Sequence, residues 1–356
     1  MAFLVSARGL PRYVRRYGHL FTWKRAWNLV CVLLSLALSQ VLRRPVVWGR
    51  PAMLMVEPTN LCNLKCPLCP SGNGEMHRQR GRMVLERFRG LVDQVHGHVF
   101  LMMLWNQGEP YLNSAFGEMV RYAHDHRIFT FTSTNGHFLR TREEARQVVD
   151  SGLDEIVFSV DGVDQETYAR YRVGGRLERV LEAIRLLLAE RRRAGARTPV
   201  VNLQFIVMRH NEQDRARAQE VARELEVDKF LVKTAQVYTP QEAAEYLPIE
   251  DAYSRYTRSG NGRLQVKGQP GRGCKVLWYS STVNWNGAVA PCCFDKDVDF
   301  PLGDAFDGSP LQRIWRGPAY GAFRRRILQD RRSVPMCTNC SEGYRGMFSL
   351  VKELGA

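Results

Sequence analysis

From Pro51 onward the chain alternates short apolar runs with amphipathic stretches, and this alternation restricts the possible fold more than any other feature. The runs "AMLMVEP" (52–58), "VFLMMLW" (99–105), "IFTFTST" (128–134), "EIVFSVDG" (155–162), "VVNLQFIVM" (200–208) and "KFLVKTA" (229–235) read as buried parallel strands. Residues near 84–97, 113–126, 141–151, 177–195 and 211–226 carry helical patterns between them. Six strands with five intervening helices imply right-handed crossovers and a parallel α/β sheet, open or closed. Such sheets place their chemistry at the carboxyl ends of the strands.

Polar clusters obey that rule. A cysteine-bearing loop follows the first strand, "NQGEP" (Asn106 to Pro110) follows the second, "STNG" (Ser133 to Gly136) ends the third and "SVDG" (Ser159 to Gly162) ends the fourth. Loops scattered at random would fall at both ends of the strands, so this alignment on one rim points to a single site.

The first of these loops, "EPTNLCNLKCPLCPSG" (57–72), carries Cys62, Cys66 and Cys69. A structural zinc ion would be closed by a fourth Cys or His at finger spacing, and the nearest candidate, His77, lies beyond the Ser71-Gly72-Asn73-Gly74 turn. A [4Fe–4S] cube held by three thiolates keeps one iron free for an exogenous ligand, which answers the count of three. The nine cysteines fall into a triplet, an adjacent pair and a C-x-x-C, in a chain without a cleavable-looking signal. That grouping favours metal ligation in a reducing compartment, the cytoplasm, over disulfides.

"CNLKCPLC" directly after a first strand resembles the C-x3-C-x2-C signature of the radical S-adenosylmethionine (radical SAM) superfamily. The resemblance implies a partial (β/α)6 TIM-like barrel over residues 51–240. It implies that Cys62, Cys66 and Cys69 hold a [4Fe–4S] cluster whose vacant iron is chelated by the amino and carboxylate groups of SAM. Reductive cleavage of SAM then yields methionine and a 5′-deoxyadenosyl radical that removes hydrogen from substrate, with a flavodoxin- or ferredoxin-type electron donor. "QGEP" looks like the second-strand G-G-E element, with Gln107 in place of the first glycine; Gly108 and Glu109 would then bind SAM, the carboxylate accepting from its ammonium. "TSTNG" resembles the segment near the SAM ribose, which brings in Ser133 and Asn135. "FSVDG" offers Ser159 toward the SAM carboxylate and Asp161 toward sugar or backbone. A Ser-Thr-Asn-Gly run is also what an ordinary turn uses. In "YRVGG", the Arg172 guanidinium can hold a carboxylate of SAM or substrate bidentately. Gln204, Arg209, His210 and Asn211 cluster near the end of the fifth strand.

The last third abandons the alternation and adds Cys274, Cys292, Cys293, Cys337 and Cys340. Asn286-Gly287 between alternating apolar residues marks a hairpin. Two cysteines flanking that hairpin and two from the C-x-x-C make a four-thiolate set that suits zinc or iron–sulfur alike. The spacing Cys274-x12-Gly287-x4-Cys292 resembles the start of the SPASM or shorter twitch extension of radical SAM enzymes. This implies an auxiliary [4Fe–4S] cluster in residues 241–350, on Cys274, Cys292, Cys337 and Cys340. The denser cysteine series of a full SPASM pattern is missing, so one auxiliary cluster is expected, with Cys293 a bystander or an alternative ligand and Cys31 structural. The resemblance covers about residues 51 to 345.

Residues 1–50 stand outside it. They hold nine Lys/Arg and no Asp or Glu, against a net charge of +15 for the whole chain. Within them, Leu29 to Leu42 is a 14-residue apolar run, shorter than the roughly 20 residues of a spanning helix. With Trp23, Trp27, Trp48 and cations at both ends, it reads as a helix in a membrane interface, or else as a core or oligomer contact. Arginines alternating with apolar stretches do not make a nucleic-acid stripe. The expected protein is thus a cytoplasmic radical enzyme, peripheral at the inner face of the membrane, acting on a small-molecule, lipid-linked or peptide substrate with auxiliary-cluster-assisted oxidation. The first fifty residues are too few for a winged-helix leader-peptide-binding domain, which lowers the peptide reading. A non-catalytic iron–sulfur or zinc scaffold is the alternative of a different class.

Overall fold

In the computed structural model, which describes residues 18–258, 264–268, 273–342 and 349–354, a strand lies within each of the six apolar runs. These are β1 (Met53–Val56), β2 (Leu101–Met103), β3 (Phe129–Thr134), β4 (Glu155–Ser159), β5 (Val200–Val207) and β6 (Lys229–Thr234). They pair in chain order and all parallel. The expected crossovers are α2 (Leu85–Val95), α3 (Phe116–Asp125), α4 (Arg142–Asp150), α6 (Leu177–Arg193) and α7 (Arg215–Glu224); α1 (Trp23–Leu42) precedes them. Within this alternation one further helix was not expected: α5 (Gln165–Tyr171), which starts where the Asp164 carboxylate accepts from the backbone N–H of Thr167 (2.8 Å). Seven residues are too few to show a 3.6-residue period, so capping announces this helix better than hydrophobicity does.

The C-terminal third joins the same sheet. Between them, α8 (Pro240–Tyr246) and an antiparallel ribbon of β7 (Tyr256–Arg258) and β8 (Leu264–Val266) cover the carboxyl end of β6. β9 (Ser280–Val283) then pairs parallel with β1. It turns at the expected Asn286-Gly287 into β10 (Ala288–Ala290), followed by β11 (Gly303–Asp304), α9 (Pro318–Gln329) and β12 (Ser349–Glu353), which lies antiparallel on β6. The result is one ten-stranded sheet, ordered β11-β10-β9-β1-β2-β3-β4-β5-β6-β12, and it runs across residue 240.

Strand side chains alternate between faces. One face of the sheet, with Leu54, Met102, Ile156 and Leu203, packs on the helices through residues such as Phe88, Ile184 and Leu187. The other, the inner face, buries Met53, Met55, Leu101, Met103 and Phe129, with half-buried Trp105, Phe131, Tyr279 and Cys293 packed against them.

α1 is longer than the apolar run that announced it. The Thr22 hydroxyl caps it by accepting from the backbone N–H of Arg25 (3.3 Å), adding six residues ahead of Leu29. At 20 residues with a mean hydropathy of 1.5, α1 is the one helix among the described residues long and apolar enough to cross a membrane. It lies instead along the protein, fixed by its polar residues.

Candidate functional site

The three-cysteine loop is held from both sides. Ahead of it, Glu57 is fully buried and paired with Arg78 (2.5 Å), whose guanidinium also donates to the second carboxylate oxygen (2.7 Å). The Asn60 side chain donates to Gln79 O (2.8 Å) and accepts from Gly81 N (2.9 Å). Within the loop, the backbone N–H groups of Gly72 and Asn73 donate to Cys69 O at 2.8 and 2.9 Å. Gly72 has no room for a side chain, because a Cβ there would stand 2.5 Å from Cys66 N. On the far side, Gly108 takes φ +76°, and a Cβ would stand 2.5 Å from Leu61 O; the Glu109 N–H then donates to that same carbonyl at 2.7 Å. The sequence element after β2 is therefore pressed against the cysteine loop by backbone contact.

Glu109 is buried and accepts three hydrogen bonds, from Thr134 Oγ1 (2.9 Å), Asn135 N (2.8 Å) and Tyr111 N (3.3 Å). Burial outweighs these bonds and pushes its carboxyl up to about 7. A buried carboxylate with only neutral donors around it is a receptor for a cation. Asn135 stands beside the loop, its amide donating to Asn63 Oδ1 (2.8 Å) with Cys62 Sγ at 4.0 Å. Ser133 is half-buried on the inner face of β3, and Ser159 is buried on the inner face of β4. Asp161 is fully committed inside the protein. One carboxylate oxygen takes both Arg172 Nε (2.6 Å) and Nη2 (2.5 Å), and the other accepts from Ile206 N (2.7 Å). Arg172 is thereby aimed at the loop, its Nη1 lying 3.7 Å from Cys66 Sγ; burial alone would lower its guanidinium, but the charges of Asp161 and Cys66 override it and hold the group well above its usual value. Of the cluster near the end of β5, Asn211 is a buried pin that donates to Asp161 O and Ile206 O, both at 3.0 Å, while burial lowers the His210 imidazole below its usual range.

The thiols face the same physics. Burial raises Cys62 to about 12 and raises Cys66 against the opposing charge of Arg172. Neutral thiols in so dry a place become good ligands only when a metal centre takes up their charge. Among the described residues no three His, Cys, Asp or Glu side chains converge on a point where one metal ion would sit. Three thiols on one loop, with a guanidinium against one of them, fit a cluster of several atoms better than a single zinc ion.

The second thiol group lines a cavity. Cys274, Cys292, Cys293, Cys337 and Cys340 border it together with Met53, Met55 and Met103 from the inner face of β1 and β2. Burial raises all five thiols, Cys293 and Cys337 to about 11. Arg331, buried in the cavity wall, donates to Cys340 O (3.3 Å) and sets a positive charge beside Cys274, Cys337 and Cys340. A donor set of thiols with a buried counter-charge fits an anionic iron–sulfur centre. Cys31 lies away on α1, its carbonyl accepting from Ser35 Oγ (2.6 Å).

A sequence profile of the radical SAM superfamily matches residues 56–228, and one of an iron–sulfur-cluster-binding domain, SPASM, matches residues 274–341. This chain belongs to the radical SAM superfamily and carries a C-terminal SPASM domain. It is a radical SAM iron–sulfur enzyme, and its cofactors are SAM, a [4Fe–4S] cluster and auxiliary cluster iron–sulfur. It is 25% identical to the tungsten-containing aldehyde ferredoxin oxidoreductase cofactor-modifying protein of Pyrococcus furiosus, over 81% of this chain and 86% of that protein. It is likewise 25% identical to a PqqA peptide cyclase of Ruegeria pomeroyi, over 77% of this chain and 76% of that one. SuiB of Streptococcus suis, in a structure bound to S-adenosylmethionine, superposes with a TM-score of 0.60 at 15% identity, over 94% of this chain and 82% of that one, a likeness of fold.

Sequence reasoning missed several partners in this radical SAM enzyme. Glu57 was visible as a carboxylate ending an apolar strand, yet Arg78 is 21 residues away on an irregular loop. Arg331 lies in "DRRSVP", where nothing local marks it as buried. Inside the barrel, Glu155 at the start of β4 binds Lys229 (3.0 Å) and Asn202 (2.6 Å), an ionic cross-tie between three strands that only their pairing brings together.

Proposed function

We propose that Cys62, Cys66 and Cys69 hold the SAM-binding [4Fe–4S] cluster, that Cys274, Cys292, Cys337 and Cys340 hold one auxiliary [4Fe–4S] cluster, and that hydrogen is taken from a substrate lying between them. What supports this reading is two separate thiol sets, one on the loop after β1 and one in a cavity bordered by Met53, Met55 and Met103 of the inner face. When bound, these groups supply a 5′-deoxyadenosyl radical that abstracts hydrogen and a one-electron acceptor for what remains, making a net oxidation. The residues of the chain then bind and orient. Glu109 faces the SAM ammonium, with Gly108, Ser133, Asn135 and Ser159 as neighbouring partners. Asp161 positions Arg172 by its two hydrogen bonds, and Arg172 places positive charge against the cluster ligand Cys66. Met55, Met103, Phe131 and Trp105 offer an apolar, water-poor wall to the substrate carbon.

Two substrate classes have support of different kinds. A lipid-linked or membrane-proximal substrate is suggested by α1. A peptide is suggested by the PqqA peptide cyclase relative. In the cytoplasm, a flavodoxin or ferredoxin would deliver the electron. Anaerobic reconstitution should load about eight irons per chain, and dithionite with SAM should release 5′-deoxyadenosine. Incubation with host lipid and peptide fractions should reveal a species that loses hydrogen only when SAM is present. A protein that loads iron yet releases no deoxyadenosine under reduction would sink the proposal.

Two variants refine it. Cys337→Ala should remove about four irons and abolish substrate oxidation while SAM cleavage without substrate continues; equal loss of both would contradict the division of labour. The second concerns pH. Because the folded carboxyl of Glu109 stands near 7, above the 4.5 of a free glutamate, the protein without SAM holds this proton and loses stability as pH rises from 4.5 to 7. A SAM ammonium prefers the ionised form, so binding below pH 7 must expel the proton. The Kd for SAM is expected to rise about tenfold per unit as pH falls below 7, and Glu109→Gln should flatten that profile while weakening binding. A Kd for the parent enzyme that does not change between pH 5.5 and about 7.5 would exclude Glu109 as the ammonium's partner.

A further inference from the structure

α1 is packed inside out. Its buried stripe is Arg25, Asn28, Val32, Ser35 and Ser39, spaced three and four apart, and four of these five are polar. A helix of a globular protein normally buries its apolar face. Here every buried polar group is used. Arg25 donates to Leu20 O (2.7 Å), His96 O (2.8 Å), His126 O (3.1 Å) and Arg127 O. Asn28 exchanges hydrogen bonds with the backbone of Arg50, donating to its O (3.1 Å) and accepting from its N (2.8 Å). Ser35 accepts from Trp48 N (2.9 Å), and Ser39 accepts from Val46 N (2.9 Å) and from the indole N–H of Trp278 (3.0 Å). The helix is therefore pinned to the body by bonds that fix its rotation.

The opposite stripe faces outward and is apolar. Trp23 is 80% exposed, Trp27 58%, Leu33 56% and Val41 77%, with Val30, Leu34 and Leu42 between them and Trp48 and Phe21 alongside. Hydrophobic association is the ordinary use of so large an exposed patch. What covers it is indicated by charge. Lys24 at one end and Arg43 and Arg44 at the other are exposed, as is Arg50 beside Asn28, and the first fifty residues hold no acidic side chain. Two tryptophans at the amino end of an apolar strip and a third beside its middle, with cations at both ends, match the headgroup region of an anionic bilayer, whereas a second copy would oppose like charges.

We propose that the outward face of α1 seats this enzyme on the surface of an anionic bilayer, with the helix lying in the plane of the interface. Arg25 binds carbonyls in the turns that lead into β2 and β3, and Leu20 packs on Met53, Leu101 and Phe129. These are the amino-terminal ends of the strands, so the docking face lies at the base of the barrel, away from the rim that carries the three-cysteine loop. Docking thus anchors the enzyme and leaves the rim open to the aqueous side. The buried polar stripe keeps α1 on the protein and opposes its withdrawal into a membrane-crossing position.

Co-sedimentation of the full chain with vesicles tests this independently of any chemistry. Expected is binding to phosphatidylcholine–phosphatidylglycerol vesicles at least about tenfold tighter than to phosphatidylcholine alone, weakened by high salt. Trp27→Glu with Leu34→Glu, both at exposed positions, should abolish it while iron loading and deoxyadenosine release in solution stay at the level of the parent. Arg43→Glu with Arg44→Glu should remove the preference for phosphatidylglycerol. Parent protein that remains in the supernatant with anionic vesicles overturns the proposal, as does equal binding by the Trp27→Glu, Leu34→Glu protein. A dimer that this double substitution dissociates, without vesicle binding by the parent, overturns it too and assigns the face to a second copy.

Discussion

Replacing Cys66 by Ala is expected to cut 5′-deoxyadenosine release to background and to lower the iron content from about eight to about four per chain. Cys66 is the most buried of the three loop thiols, and it is the one against which Arg172 is set, at 3.7 Å. Removing it leaves two ligands, which cannot keep a cube while offering SAM an open iron. The loop itself should survive, because its turns depend on backbone bonds to Cys69 O and on the Glu57–Arg78 pair. The control is therefore an unfolding curve of the metal-free protein, which should move little. Retention of all eight irons, or of measurable deoxyadenosine, would show that the catalytic cluster is elsewhere.

Arg172→Ala should be the most damaging single change outside the cysteines. It strands the Asp161 carboxylate, which is fully buried and whose Oδ2 takes both guanidinium bonds. Breaking a buried pair from one side costs about 3–5 kcal/mol, because the remaining charge has neither water nor a counter-charge. Lys at this position restores charge but not the two-pronged grip, and should recover only part of the loss. Asp161→Ala with Arg172→Ala should cost less than the sum of the single changes, since each alone removes the same interaction. Urea unfolding of the metal-free forms measures all four corners of this cycle. A loss below about 1 kcal/mol for Arg172→Ala would mean that the pair is open to water and cannot position the guanidinium.

These two residues show where reading the chain succeeds and where it stops. Cys62, Cys66 and Cys69 could be found by spacing alone, since ligands within eight residues on one loop need no fold to be neighbours. Arg172 could be singled out from its glycine-flanked turn, yet its partner could not. The sequence points Asp161 toward sugar or backbone, and in the fold the backbone N–H of Ile206 and the salt bridge to Arg172 occupy it. In the same way Thr134, not one of the residues first assigned, is the hydroxyl on β3 that meets Glu109, because strand alternation turns it toward the loop side and leaves Ser133 on the inner face.

The sequence by itself determined the parallel strands, their crossover helices, the shared rim of polar clusters and the two cysteine groups. All of these rest on periodicity and short spacing, which are properties of neighbouring residues. Tertiary structure decided that β9 would continue the sheet beyond β1, that Arg78 would reach the buried Glu57 and Arg331 be buried beside Cys340, and that α1 would turn its serines inward and its tryptophans outward. Hydropathy reports how apolar a helix is, and only the contacts available on the body it rests against determine which side faces the solvent.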